Sequence, residues 1–334
     1  MSRLHWMLRV TLWPATVLGT TVGFVVSFER GFAEAGLVLV PLAAMLILFA
    51  LEFILPERRG EGSGQDPQLW NDAFHGAVGQ GGGNVLGQTV FVFAAALLAG
   101  EISERWGGNL WPAEASLWMQ IPLLVVVAEG LDYWRHRWMH TSSWLWPVHA
   151  LHHNGEHLNV LKSGRGHFLD MFFRNLLCYA PLALIGVPRE VMLAYAAAVT
   201  IFGPIAHANV SVRVPAFLHR WVLTPQVHRI HHARSQALSC SNYANVFPIW
   251  DILFGTYEHP GEQRHFEYGV EEGTTPSDIL GQVLAPFAEW RSAWRQRRRS
   301  KSRPVASMPQ AAATATGTML ARRAWPGGNE RHSS

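Results

Sequence analysis

The sequence predicts an all-α fold: a polytopic integral membrane helical bundle with a cytosolic, histidine-rich metal-binding cap. Three observations predict it. The chain is apolar for its size, with 49% hydrophobic residues, 15 tryptophans and 15% charged residues, against the ~25% charged residues usual in soluble domains. The apolar residues fall into runs long enough to cross a ~30 Å hydrocarbon core as helices. Twelve of the 17 histidines lie between positions 136 and 232, eight of them in three knots: "HRWMH" (136–140), "HALHH" (149–153) and "HRIHH" (228–232).

The spans come in order. "RVTLWPATVLGTTVGFVVSF" (9–28) is the first. A signal peptide with cleavage near "AEA" (33–35) is its rival, disfavoured because that site lies too far beyond the apolar run. "AGLVLVPLAAMLILFALEFIL" (35–55) is the clearest span, followed by the polar, turn-rich connector "PERRGEGSGQDPQ" (56–68). "GNVLGQTVFVFAAALLAG" (83–100) is a third span, opened by a glycine-rich stretch at 79–83, and "ASLWMQIPLLVVVAEGL" (115–131) a fourth. Segments 171–187 and 190–206 read as a tight helical hairpin around "GVPRE", spanning or dipping in and returning. Trp144 and Trp146 read as interfacial anchors.

The expected organisation is therefore an N-terminal transmembrane region (1–114), a catalytic domain (115–260), a helical extension (261–295) and a disordered basic tail (296–334), whose "WRQRRRSKSR" (294–303) suits anionic headgroups. Nucleic acid is not an expected partner, because no aromatic interleaving or binding fold accompanies that run. Arg3, Arg9, Arg58, Arg59, Arg135 and Arg137 fall on one side of this topology. The excess of Lys and Arg marks that side as cytoplasmic, and the expected location is the cell inner membrane. All three knots share it. The two cysteines, Cys178 and Cys240, are too few and too far apart for a disulfide framework or a CxxC zinc site.

The knots carry the chemistry. Residues i and i+4 of a helix share a face, so His136 and His140 project together, and His149, His152 and His153 crowd one edge, as do His228, His231 and His232. Packing does not require this, and such groups buried without partners would lose their hydrogen bonds to water. Metal coordination resolves the problem, since neutral imidazole is a common ligand. Eight imidazoles exceed the needs of one ion, and two ions with about four each fit the number. Imidazole suits zinc, copper, iron and nickel alike. Position separates them: if the fourth span is centred near 125, His136 lies ~16 Å further along the helix, at the membrane face, where a lipid tail reaches it. Saturated carbon is attacked by redox metals with oxygen, not by redox-silent zinc.

"HRWMH", "WPVHALHHNGEHLN", "GRGH", "HANV" and "TPQVHRIHH…NYANVFPIWDILFGTY" resemble the membrane-bound fatty acid hydroxylase superfamily, which includes the sterol desaturases, over about 130–257. The resemblance implies a cytosolic di-iron centre, two iron ions, and O2-dependent hydroxylation or desaturation of a lipid such as a sterol or fatty acyl chain. It implies eight ligands, His136, His140, His149, His152, His153, His228, His231 and His232, with His207 of "HANV" a ninth. His167 matches a further position, but Phe168 stands where the family commonly has proline, and coordination and hydrogen bonding stay open for it. Asp132, Asp170, Asn159 and Asp251 are candidates to orient the ligands, as are Glu129, Glu156, Asn209, Asn242 and Asn245. Asp251 alternatively braces the "ILFGTY" turn. No GxGxxG fingerprint or cysteine cluster is visible, so a separate reductase, ferredoxin or cytochrome-like donor is expected, steered by the basic face around Arg135, Arg137 and the tail. A zinc-dependent membrane lipid hydrolase is the alternative, although no HExxH occurs; a metal-storage protein is a third reading.

Overall fold

The computed structural model describes residues 3–261, 266–271 and 275–302, with side chains to 298. All regular structure among them is helical, beyond two isolated bridges, Pro56 with Val210 and Ala233 with Tyr268. Residues 1–291 form one compact unit, which holds the histidine groups and the cavity described below, and 292–334 a second.

Helices α1 (Arg3–Glu29) and α2 (Ala33–Ile54) form an antiparallel pair. A long helix, α3 (Leu69–Trp106), follows. Helix α4 (Leu117–Thr141) returns the chain and ends in the first knot, and α5 (Trp146–His153) is the second. Helix α6 (168–184) leaves the knots, α7 (Arg189–His207) comes back to them, and α8 (Pro225–His231) carries the third. The histidines thus gather at one end because three successive helix pairs each return there. α1, α2 and α7 pack through Trp13, Leu48, Ile201, Phe202 and Ile205.

Among the described residues, four helices are long and apolar enough to cross a membrane: α1, α2, α3 and α7. Two of the apolar segments read from the sequence are not among these four. The 115–131 segment is the first part of α4, whose buried residues from 129 onward include Glu129, Asp132, Arg135, His136 and His140, so α4 as a whole is too polar to join the four. The 171–187 arm is a 168–184 helix, shorter than a full span. At the C-terminus, α9 (Ile279–Ser302) continues as helix past the boundary at 296 expected for a tail, and the remainder of that tail, 303–334, lies outside the described residues.

The glycine-rich stretch has a packing role. Gly79, Gly83 and Gly87 repeat every fourth residue and form one face of α3. A methyl group at Gly79 would strike the Gly166 carbonyl, one at Gly83 the Phe168 carbonyl, and one at Gly87 the Asn175 side chain at 2.7 Å. Small residues at this spacing let two backbones close together, here α3 against the start of α6. Three π-helical stretches accompany the contact, at His75–Gly82, Gln88–Val92 and Asn175–Tyr179; such widened turns are frequent at functional sites.

Loops at the histidine end are held by buried carboxylates. Glu52, 3% exposed in α2, accepts N–H bonds from Ser63 (2.7 Å), Val160 (2.7 Å) and Asn209 (2.9 Å), which ties three separate loops to one helix end. Asp66 and Asp72 share Lys162, at 2.8 and 2.6 Å, and Asp72 also pairs with Arg165. Breaking one partner out of such a buried network costs ~3–5 kcal/mol.

Candidate metal centre

The nine histidines form two adjoining groups. His136, His140, His149, His153 and His231 make one, and His152, His207, His228 and His232 the other; within each, the ligand nitrogens lie within 4.8 Å of one another. The "HxxHH" knots do not serve a single group. Their i,i+4 pairs, His149/His153 and His228/His232, each stay together, while the intervening His152 and His231 cross to the opposite group. His153 and His232, one from each group, stack at 4.4 Å.

Tautomers are fixed from behind. Nδ1 donates to the carbonyl of Tyr243 from His136 (2.7 Å), of Ser241 from His231 (2.7 Å), of Arg165 from His152 (2.9 Å) and of Gly203 from His207 (2.8 Å). His149 Nδ1 lies 2.6 Å from Asp170 Oδ2. A carbonyl oxygen only accepts, so the ring nitrogen must donate, which in a neutral ring leaves Nε2 as a bare lone pair. Those Nε2 atoms face one another and, in the second group, the Nε2 atoms of His228 and His232, whose Nδ1 atoms have no such carbonyl partner. His136 is 3.1 Å from His149 and 3.1 Å from His231; His207 is 3.3 Å from His152 and 3.0 Å from His228; His228 is 3.1 Å from His232. Lone pairs this close repel unless a cation lies between them. Two ligands ~2.1 Å from an ion and at right angles would be ~3.0 Å apart, close to what is seen. His140 Nε2 and both ring nitrogens of His153 are buried with no hydrogen-bond partner. The donor set therefore fits a pair of cations.

Burial keeps the rings neutral and ready to ligate. It pushes His231 down to about 3, and burial followed by neighbouring imidazoles holds His152, His153, His228 and His232 well below the ordinary histidine value. Asp170 behaves oppositely: burial alone would raise it, but His149 and Arg135 hold it well below the usual carboxylate range.

Other candidates sort by geometry. Asp170 touches His149 and accepts from Arg135 at 2.7 Å. Arg135 also reaches Asp132 at 2.7 Å, and Asp132 takes Arg174 and the Asn245 amide (2.8 Å), so Asp132 acts on His149 only through Arg135 and Asp170. Asp251 accepts from the Tyr243 and Ala244 N–H groups, both 2.9 Å, and from Thr256, 2.8 Å; it braces the loop whose Tyr243 carbonyl orients His136. Burial pushes it up to about 6. Asn159 bonds Ser63 and Asp66 rather than a histidine. His167 is not brought to either group: its Nδ1 accepts from Leu169 N–H at the start of α6 and its Nε2 lies 3.0 Å from the Val283 carbonyl. Glu156 is exposed beside Arg234. Arg135, expected on a basic docking face, is 5% exposed and spent on Asp132 and Asp170. Trp146, expected as an interfacial anchor, packs on His140 and His153 at ring distances of 5.3 and 5.8 Å. Sequence reasoning missed Glu52, the Lys162–Arg165 network behind His152, and Tyr243, whose ring lies 5.3 Å from His140. A lone acid in "ALEFIL" was the one signal available for Glu52.

A cavity of about 630 Å³ opens onto His136, His149, His152, His207 and His228. It follows α7 from His207 back to Arg189, ~27 Å at helical rise, where Arg189 pairs with Glu34 at 2.7 Å. Leu37, Val38, Pro41 and Met45 of α2 face Met192 and Leu193 of α7 across it.

A bundle of apolar helices, a buried double histidine cluster that fits metal ions and a long cavity leading to it are the features of a membrane protein with a candidate metal centre. Residues 121–256 match the fatty acid hydroxylase family. The chain is 30% identical over 289 residues to the ornithine lipid hydroxylase OlsE of Rhizobium tropici, covering 86% of each chain. It is 30% identical over 168 residues to the alkylglycerol monooxygenase of Homo sapiens, 49% of this chain and 36% of that one. With the Delta(7)-sterol 5(6)-desaturase ERG3A of Gibberella zeae it shares 26% over 162 residues, 48% of this chain and 44% of that one. No solved structure matches. The chain belongs to the fatty acid hydroxylase family; it is a membrane lipid oxygenase, an oxidoreductase, and the relatives give no support to the hydrolase reading.

Proposed function

We propose that the protein is a di-iron lipid hydroxylase. One iron would be held by His136, His140, His149, His153 and His231, the other by His152, His207, His228 and His232. The observation that carries this reading is the opposed set of imidazole Nε2 atoms, 3.0 to 3.3 Å apart, five of them bared by an Nδ1 bond on the far side of the ring. Bound iron supplies the oxygen activation that no side chain provides. The protein's own residues position and shield. Backbone carbonyls and Asp170 fix the imidazole tautomers, Trp146 and Tyr243 wall the five-histidine group, and the α2–α7 cavity holds a lipid chain with its reacting carbon beside the histidines. Hydroxylation is preferred to desaturation because the relative matching 86% of the chain is named a hydroxylase. That relative's name also makes an aminolipid the first substrate to try, with an alkylglycerol second.

Electrons would come from a separate reductase, ferredoxin or cytochrome-like protein. The histidine end would face the cytoplasm from the inner membrane: Arg3, Arg9, Arg58 and Arg59 lie in segments reaching that end, as the excess of positive charge on cytoplasmic loops requires. Metal analysis and product analysis test the reading together. Two irons per chain are expected, falling to about one in either His152→Ala or His153→Ala, and lipid product carrying label from 18O2 is expected only when a donor is added. A single zinc with no labelled product would overturn it.

A further inference from the structure

Three polar side chains of α3 line the cavity: Gln80, Asn84 and Gln88. They repeat every fourth residue, each directly after one of the close-packed glycines Gly79, Gly83 and Gly87. The glycine face presses α3 onto the start of α6; the amide face, one residue further round the helix, is thereby turned to the cavity. The row starts level with the histidines. Gly79 lies against Gly166, the neighbour of Arg165, whose carbonyl holds His152. From Gln80 to Gln88 it extends ~12 Å along the helix. Gln80 and Gln88 lie within the two π-helical stretches of α3.

Gln80 and Asn84 are half-buried and Gln88 is exposed, and the three have few protein partners. Asn84 Oδ1 accepts from Asn175 at 3.1 Å, which leaves the Asn84 N–H groups free. Gln80 and Gln88 make no side-chain hydrogen bond to any described residue. Amides in a membrane-crossing helix are costly to leave unpaired, and polar residues there mark substrate paths. The charged groups beside them do not compete for this role: Arg135 and Arg174 are paired with Asp132 and Asp170, and Arg189 with Glu34. The row therefore offers neutral donors and acceptors next to the metal centre, whereas α2 and the outer part of α7 offer hydrocarbon.

We propose that Gln80, Asn84 and Gln88 form a rail that hydrogen-bonds the head of the substrate. The enzyme then selects lipids bearing neutral hydrogen-bonding groups, amide or hydroxyl, close to the carbon that is oxidised, over lipids with a plain acyl chain at that position. This rests on the lipid-oxygenase reading and adds where the head lies and which residues read it.

The test compares wild type with Gln80→Leu/Gln88→Leu, leaving Asn84 and its Asn175 bond intact. Three probes of equal chain length are used: an N-acyl amino acid amide, a 1-O-alkylglycerol and a fatty acid methyl ester, which has no donor. Loss of two neutral hydrogen bonds should raise KM about 10-fold for the first or second probe, with kcat within about 3-fold. KM for the methyl ester, which can only accept, should rise less than for the other two, and bound iron per chain should stay unchanged. The probe with the larger penalty tells amide from hydroxyl. If the double variant does not insert, Gln80→Met and Gln88→Met, which keep side-chain length, should each raise KM about 3-fold. Equal KM ratios among the probes in wild type and variants would overturn the rail while leaving the oxygenase standing. Iron-loaded wild type that oxidises none of the probes would overturn both.

Discussion

Replacing Asp170 with Asn tests how the five-histidine group is held. The carboxylate accepts from His149 Nδ1 at 2.6 Å and from Arg135 at 2.7 Å, and both bonds are charge-assisted. An asparagine offers one acceptor oxygen and one donor amide. With the oxygen toward Arg135, the NH2 meets His149 Nδ1, which must give up its proton; the proton then moves to Nε2 and removes the lone pair aimed at the metal. With the oxygen toward His149, the tautomer survives but Arg135 faces a donor in a site where it is 5% exposed. An orienting partner of a ligating histidine is worth ~10–100-fold in metal affinity, or ~1.4–2.8 kcal/mol. Asp170→Asn should therefore lose iron to a chelator at ~10–100-fold lower chelator concentration than wild type. Asp132→Asn, two hydrogen bonds further from His149, should show a smaller shift. An Asp170→Asn protein that holds iron as tightly as wild type would refute the tautomer argument.

Three further outcomes are expected. Glu52→Leu leaves three buried N–H groups unsatisfied, each worth ~1–3 kcal/mol, so it should unfold in detergent several degrees lower than wild type, with Glu52→Gln intermediate; equal melting of all three would disprove the brace. Gly83→Ala should disturb the α3–α6 approach, because the new methyl meets backbone at Phe168, and is expected to lower the melting temperature, whereas Gly100→Ala, with open space around it, should not. In metal-stripped protein, His231 sits at about 3 folded and ~6.5 unfolded. Its stabilising contribution is complete above about pH 6.5 and is lost as pH falls toward 3, so this one group should cost ~2 kcal/mol between pH 7.5 and pH 5; denaturant midpoints at the two pH values measure it, and a midpoint independent of pH would contradict it.

Much of the molecule is legible in the sequence because its signals are local. Twenty-odd apolar residues in a row demand a helix that avoids water, which reveals α1, α2 and most of α3. Imidazoles at i,i+3,i+4 spacing point to a cation, which singles out eight candidate ligands, whereas His207 is picked out only by the resemblance of "HANV" to the family pattern. Segments whose two halves differ misled the reading: α4 begins apolar and ends among buried charges, so its 115–131 run looks like a span when taken by itself. Trp146 looked like an interfacial anchor because tryptophan favours that place, and Arg135 looked exposed because an unpaired buried arginine would be too costly; its partners stand 3 and 35 residues away.

Residue order alone gave the apolar helices of a membrane protein and the clustered histidines of a candidate metal site. Tertiary structure alone decided how the histidines divide, five and four, with His152 and His231 crossing between groups, which carbonyl fixes each tautomer, and which row of amides faces the cavity. The reason is physical: helical spacing is a property of one segment, whereas a coordination shell and its supports are set by the distances between segments, and those exist only once the helices have packed.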